Sequence, residues 1–167
     1  MSTSPHRVLT VCLGNICRSP TAEAAIVEAA AEADLPVVVR SVGTGAWHVG
    51  DPRDPRMTAA AADAGLELTG ASELITERAL DEADLVVVMD RQNLADVQRI
   101  AAAAGIDTPI RLFRAFDVTG LERGDLEVPD PYQGGPAGFA LVVEQCRAAA
   151  AGVVAHLAGR RGDPGPR

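Results

Sequence analysis

The order of segments predicts a three-layer α/β fold, a parallel sheet flanked by helices on both faces. Short apolar runs alternate with Ala-rich helical ones along the chain, a pattern that requires right-handed crossovers between parallel strands. The run Leu85-Val86-Val87-Val88-Met89 has no polar interruption, as expected of a strand buried on both faces. A chain of 167 residues fits one domain with room for a sizeable core.

The first strand is expected over Arg7 to Val11, after a flexible start over residues 1–6. Cys12 to Arg18 has neither helical nor strand period and reads as a loop. Pro20 then suits the first turn of a helix, where its missing N–H costs nothing, and Thr21 to Ala33 carries that helix on. A second strand covers Val37 to Arg40, followed by Gly-rich chain to Gly50. Asp54-Pro55 opens a helix that Gly65 stops, and a short helix covers Glu77 to Ala83. After the apolar strand come a helix from Arg91 to Ala104 and a strand near Ile110 to Phe113. Ala115 to Gly135 reads as a long loop stiffened by Pro129 and Pro131. The last helix spans Ala137 to Ala158, with Phe139, Val142, Val143, Cys146, Ala150, Val153 and Leu157 on one apolar stripe. Gly159 to Arg167 reads as a disordered tail, so the domain is expected over 7–158.

Composition narrows the function. A net charge of -8 argues against a nucleic-acid partner, which calls for a basic face. The longest apolar run, Ala148 to Leu157, falls short of the ~20 residues of a membrane span. No basic-then-apolar leader opens the chain, which makes the cytoplasm the default location. Every basic residue other than His is Arg, which removes the Walker lysine and Schiff-base chemistry. Three cysteines and three scattered histidines suit neither a disulfide framework nor a structural zinc site.

In a parallel α/β sheet, ligands bind outside the carboxyl ends of the strands, and the loop beginning at Cys12 is the first such place. In Cys12-Leu13-Gly14-Asn15-Ile16-Cys17-Arg18-Ser19 a strand ends, the chain turns and a helix begins. Successive N–H groups then face the hollow of the loop, a nest for an oxyanion at a helix N-terminus. Gly14 permits the tight backbone, and Asn15 tolerates a left-handed conformation. Arg18 can close the ring with a planar fork for two phosphate oxygens. A sulfur held in such a field works as a thiolate, a nucleophile aimed at phosphorus. Asp130, in Val128-Pro129-Asp130-Pro131-Tyr132, lies at the carboxyl edge of the sheet and can protonate a leaving phenol. It has to carry a proton for that step, so activity is expected to be best on the acidic side of neutral.

Further segments follow in order: Ser41-Val42-Gly43-Thr44-Gly45-Ala46-Trp47-His48-Val49-Gly50, Asp54-Pro55-Arg56, Met89-Asp90 with Asn93-Leu94, and Asp130-Pro131-Tyr132. With the Cys12 loop they make the chain resemble, over nearly its whole length, a low-molecular-weight protein tyrosine phosphatase. The resemblance implies a flavodoxin-like, four-stranded parallel sheet and cofactor-free, metal-free hydrolysis of phosphotyrosine and small aryl phosphates through a phosphocysteine intermediate. It implies a monomer acting on phosphotyrosine-containing proteins and releasing inorganic phosphate. Cys12 would be the nucleophile, Arg18 would hold the equatorial oxygens, and Asp130 would act as acid and then base. Ser19 would donate to the Cys12 sulfur, while Asn15 and Ser41 would hold the loop's shape. Trp47 and Tyr132 would wall the slot, lined by Leu13 and Ile16. Cys12 and Cys17 would form a reversible disulfide that protects the nucleophile.

The chain departs from the family in two places. Thr69-Gly70-Ala71-Ser72 stands where the family carries His-x-Ala-Arg, and Gln133 stands where relatives have a second Tyr. Thr69 could replace one hydrogen bond of that His. Three alternatives stay open: an arsenate reductase, a phosphoarginine phosphatase, and a silent phosphate-binding module. The first needs a resolving Cys, which Met89 to Gly105 does not contain, the second usually has Thr where this chain has Ile16, and Cys12, Arg18 and Asp130 together speak against the third. Arg53 and Arg56, near Trp47, suggest acidic residues flanking the phosphotyrosine.

Overall fold

The computed structural model describes residues 3–160. Its elements run β1 (His6–Cys12), α1 (Arg18–Glu32), β2 (Val37–Gly43), α2 (Pro55–Asp63), α3 (Glu77–Glu82), β3 (Leu85–Val88), α4 (Arg91–Ala104), β4 (Ile110–Leu112), a 3-10 turn (Phe113–Phe116), α5 (Val118–Arg123) and α6 (Pro136–Arg160). All strand pairs are parallel, in the order β2-β1-β3-β4. The chain therefore leaves β1 toward one edge and returns to its other side with β3. That reversal opens a crevice at the carboxyl ends of β1 and β3, where Cys12 and Asp90 emerge.

Alternation along the strands divides the core. Val8 and Cys12 of β1 and Leu85 and Val87 of β3 pack against α1, α2 and α6. Leu9, Val11, Val86 and Val88 face α3 and α4. Every residue of the expected α6 stripe is buried, Cys146 among them, and burial pushes that thiol far above the usual range. By length and composition α6 could cross a membrane, so the short apolar run underestimates it. Its stripe is nonetheless covered by this sheet face and α1.

Several boundaries differ from the sequence reading, β1 taking in Cys12 and α1 starting at Arg18, both read as loop. β2 runs on through Ser41 and Val42 to Gly43, paired with Thr10, Val11 and Cys12. His6 joins β1 rather than a flexible start, donating its N–H to the carbonyl of Pro36. Gly159 and Arg160 continue α6, and the rest of the expected tail, 161–167, lies outside the described residues, as do residues 1–2. The expected loop from Ala115 contains the end of the 3-10 turn and α5, which Asp117 caps by accepting from the N–H of Thr119. With Gly120 inside a six-residue helix, no helical period shows there.

The 3-10 turn seats against α6 at Gly152. A Cβ there would overlap the carbonyl oxygen of Phe116, which is backbone and cannot rotate away. Gly152→Ala is expected to destabilise the fold by about 1–3 kcal/mol despite its better helix propensity. A chemical-denaturation midpoint lower than wild type checks this.

Candidate active site

β1 delivers Cys12 to the crevice, and α1 begins six residues later with Arg18. Between them the loop wraps the sulfur. Asn15 takes a left-handed conformation, φ 56°, which brings its N–H to 3.2 Å from Cys12 Sγ. Ser19 Oγ lies 3.0 Å from the same sulfur and accepts from Asn15 Nδ2 at 2.8 Å. Gly43 lets the loop approach β2, since a Cβ there would sit 2.7 Å from the Leu13 carbonyl oxygen.

Arg18 is 3% exposed, and two neighbours set its guanidinium. Nη1 donates to Asp90 Oδ2 at 2.7 Å and to the Val128 carbonyl at 3.0 Å. Nη2 lies 3.8 Å from Asp130 Oδ2. Burial pulls the guanidinium's hold on its proton down, but the Cys12 sulfur, Asp90 and Asp130 more than offset it, so Arg18 stays above the usual arginine range. Asp90 serves twice, because its Oδ1 caps α4 by accepting from the N–H of Asn93 at 2.8 Å.

The sulfur lies at the floor of a slot of about 500 Å³, lined among others by Ile16, Arg18, Trp47, His48, Asp130 and Tyr132. Leu13, Gly14, Asn15 and Cys17 complete the loop side. Trp47 is 74% exposed and Tyr132 43%, a rim of two aromatic rings free to meet a ligand. Asp130 is half exposed, and its Oδ1 accepts from the N–H of Tyr132 at 3.1 Å. Cys12 and Cys17 are both buried free thiols. Burial, then Asp54, pushes Cys17 up to about 12. Among the described residues, no group of three or more His, Cys, Asp or Glu side chains is arranged to hold a metal ion.

Comparison with known proteins agrees with that geometry. Residues 7–161 match the family model described as low molecular weight phosphotyrosine protein phosphatase. The chain belongs to that family. A low molecular weight protein-tyrosine-phosphatase of Streptomyces coelicolor is 41% identical over 154 residues, spanning 91% of this chain and 93% of that protein. The crystal structure of YfkJ from Bacillus subtilis matches with a TM-score of 0.83 at 29% identity, covering 95% of this chain and 98% of that one. A Drosophila arginine phosphatase matches with 0.82 at 27%, covering 90% and 96%.

In this family member Cys12 to Arg18, Trp47, Asp130 and Tyr132 line one slot, Ser19 meets the sulfur from beneath, and Ser41 lies off the slot. Its hydroxyl accepts from Arg53 Nη2 at 3.3 Å rather than from the loop. Arg53 corrects the sequence reading. It is buried and turned under the loop, away from any peptide flanking the slot, while Arg56 caps the Tyr132 and Phe139 rings at 5.3 and 4.8 Å. The departure at Thr69 to Ser72 is also resolved. Thr69 contributes its carbonyl, which accepts from Arg53 at 3.0 Å, and Ser72 Oγ donates to the Gly14 carbonyl at 2.8 Å.

Sequence reasoning gave no role to Asp90, Ser72 or His48, and gave Arg53 a different one. Asp90 had a signal, because a carboxylate ending an apolar strand beside the first strand stands in the crevice by topology. His48 packs over the loop, where a Cβ on Gly14 would come 3.1 Å from its ring, but nothing in its sequence neighbours marks it.

Proposed function

We propose that the chain hydrolyses phosphotyrosine in proteins, and small aryl phosphates, by phosphoryl transfer to Cys12. The observation that carries this is one slot lined by the Cys12 sulfur and the Arg18 guanidinium, with the Asp130 carboxyl 3.8 Å from that guanidinium. In the first step Cys12 Sγ attacks phosphorus as the ester oxygen leaves, and Asp130 gives that oxygen its proton. In the second step water attacks the phosphocysteine, Asp130 takes back a proton, and inorganic phosphate departs. Arg18 and the loop N–H groups stabilise the equatorial oxygens in both. Ser19 and Asn15 hydrogen-bond the departing sulfur, and Trp47, Tyr132, Leu13 and Ile16 clasp the phenyl ring. Ile16, an apolar side chain in the slot, favours an aromatic ester over phosphoarginine.

We place this activity in the cytoplasm and in a monomer. On oxidation by a peroxide, Cys12 becomes a sulfenic acid, and Cys17 displaces its oxygen as water to close a disulfide. That attack needs a Cys17 thiolate, so a thiol held near 12 makes closure slow at neutral pH.

The test is release of p-nitrophenol and of tyrosine-bound phosphate in mildly acidic buffer with a chelator present, with phosphoarginine alongside. Turnover of the aryl esters alone is the expected result. Asp130→Asn is expected to lower kcat by ~10²–10⁴-fold, and by more for phenyl phosphate than for p-nitrophenyl phosphate, whose leaving group needs less protonation. Equal losses on the two esters would remove Asp130 as the acid.

A further inference from the structure

A buried cation lies beneath the phosphate loop. Arg53 is 8% exposed, and it spends its donors on four acceptors under the phosphate loop. Nη1 donates to the Asn15 carbonyl at 2.6 Å and to Asn15 Oδ1 at 2.9 Å, Nε to the Thr69 carbonyl at 3.0 Å, and Nη2 to Ser41 Oγ at 3.3 Å. Burial lowers its hold on its proton, while Glu23, the Cys12 sulfur and Glu73 pull it back up. A charge buried this way is costly unless its bonds are well made.

The polarity of those bonds runs in one direction. Asn15 Oδ1 receives two donors that cannot accept, Arg53 Nη1 and the Glu73 N–H, each at 2.9 Å, which fixes that end of the amide as the oxygen. Asn15 Nδ2 must then donate to Ser19 Oγ. Having accepted there, the hydroxyl has one proton to place, and two acceptors compete: Cys12 Sγ at 3.0 Å and the Val42 carbonyl at 3.4 Å. The sulfur is the nearer. We propose that Arg53 is a positioning residue for Cys12: by fixing the Asn15 amide and its carbonyl, it directs the Ser19 hydroxyl proton onto the sulfur. The inference deepens the phosphatase reading, since it concerns the sulfur that reading makes the nucleophile.

The test does not require turnover. Carboxymethylation of Cys12 by iodoacetate is followed by mass spectrometry across pH for wild type, Arg53→Ala and Arg53→Lys, with the exposed Arg78→Ala as control. Arg53→Ala is expected to move the midpoint up by about one pH unit, the scale of a hydrogen bond to the charged form. Arg53→Lys keeps the charge without the fork and moves it partway. Arg78→Ala leaves it in place. On a Ser19→Ala background, Arg53→Ala adds much less than its own shift, leaving only the direct pull of its charge on the sulfur, because the hydroxyl that carries the rest is gone. If Arg53→Ala does not fold, Arg53→Lys decides. A folded Arg53 variant with the wild-type midpoint, or a shift that adds fully to that of Ser19→Ala, overturns the proposal. Failure of wild type to turn over aryl phosphates would sink the phosphatase reading and leave the alkylation profile to judge Arg53 by itself.

Discussion

Cys12→Ser abolishes hydrolysis of p-nitrophenyl phosphate, by on the order of 10⁴-fold or more, while inorganic phosphate still binds. Cys17, the other thiol lining the slot among the described residues, holds its proton through burial, so the Cys12 sulfur is the strong nucleophile there, and a hydroxyl attacks phosphorus poorly unless a base activates it. The hydroxyl that hydrogen-bonds the sulfur, Ser19, already accepts from Asn15 and has only a proton to offer. Phosphate binding survives because it belongs to Arg18 and the N–H groups of the loop, which the substitution leaves alone. Parallel assays of turnover and of phosphate binding by titration calorimetry separate the two. Residual turnover within tenfold of wild type would mean that water attacks the ester directly.

Arg18→Lys is expected to cost on the order of 10³-fold in kcat even though the charge is kept. Asp90 and the Val128 carbonyl hold Nη1, so the fork presents its remaining edge to the crevice. A lysine offers one ammonium where the arginine offers a plane with donors on two edges. If it stays with Asp90, nothing is left to bridge the phosphate oxygens; if it turns to phosphate, the Asp90 carboxylate is left unpaired. Stability should also fall, because removing one partner of a largely buried pair strands the other. Steady-state kinetics beside a thermal melt read both effects. An Arg18→Lys variant with near wild-type kcat would show that point charge alone suffices.

Local signals account for what the amino-acid order reveals. α4 is legible end to end because Asp90 caps it and Gly105 closes it in a left-handed conformation. The Cys12 loop is legible because strand, loop glycine and helix-start proline fall within nine residues. α5 is not, being too short for a period and built around a glycine. Arg53 stayed hidden for a different reason. Beside Asp54 and Pro55 it reads as a surface arginine, and its burial comes from partners far along the chain, Asn15 and Thr69. Local pattern carries no record of such contacts. Even so, Thr69 and Ser72 do mark the place, since two residues that depart from the family's pattern there require another group to hold the loop.

The central claim is that phosphate passes through sulfur. The most direct measurement is to acid-quench wild-type enzyme during turnover of p-nitrophenyl phosphate and map the phosphorylated peptide by mass spectrometry. A phosphoryl group on Cys12 is the predicted result, absent in Cys12→Ser and accumulating in Asp130→Asn, where activation of the hydrolytic water is impaired. Turnover in which no phosphoryl group reaches Cys12 would contradict the account.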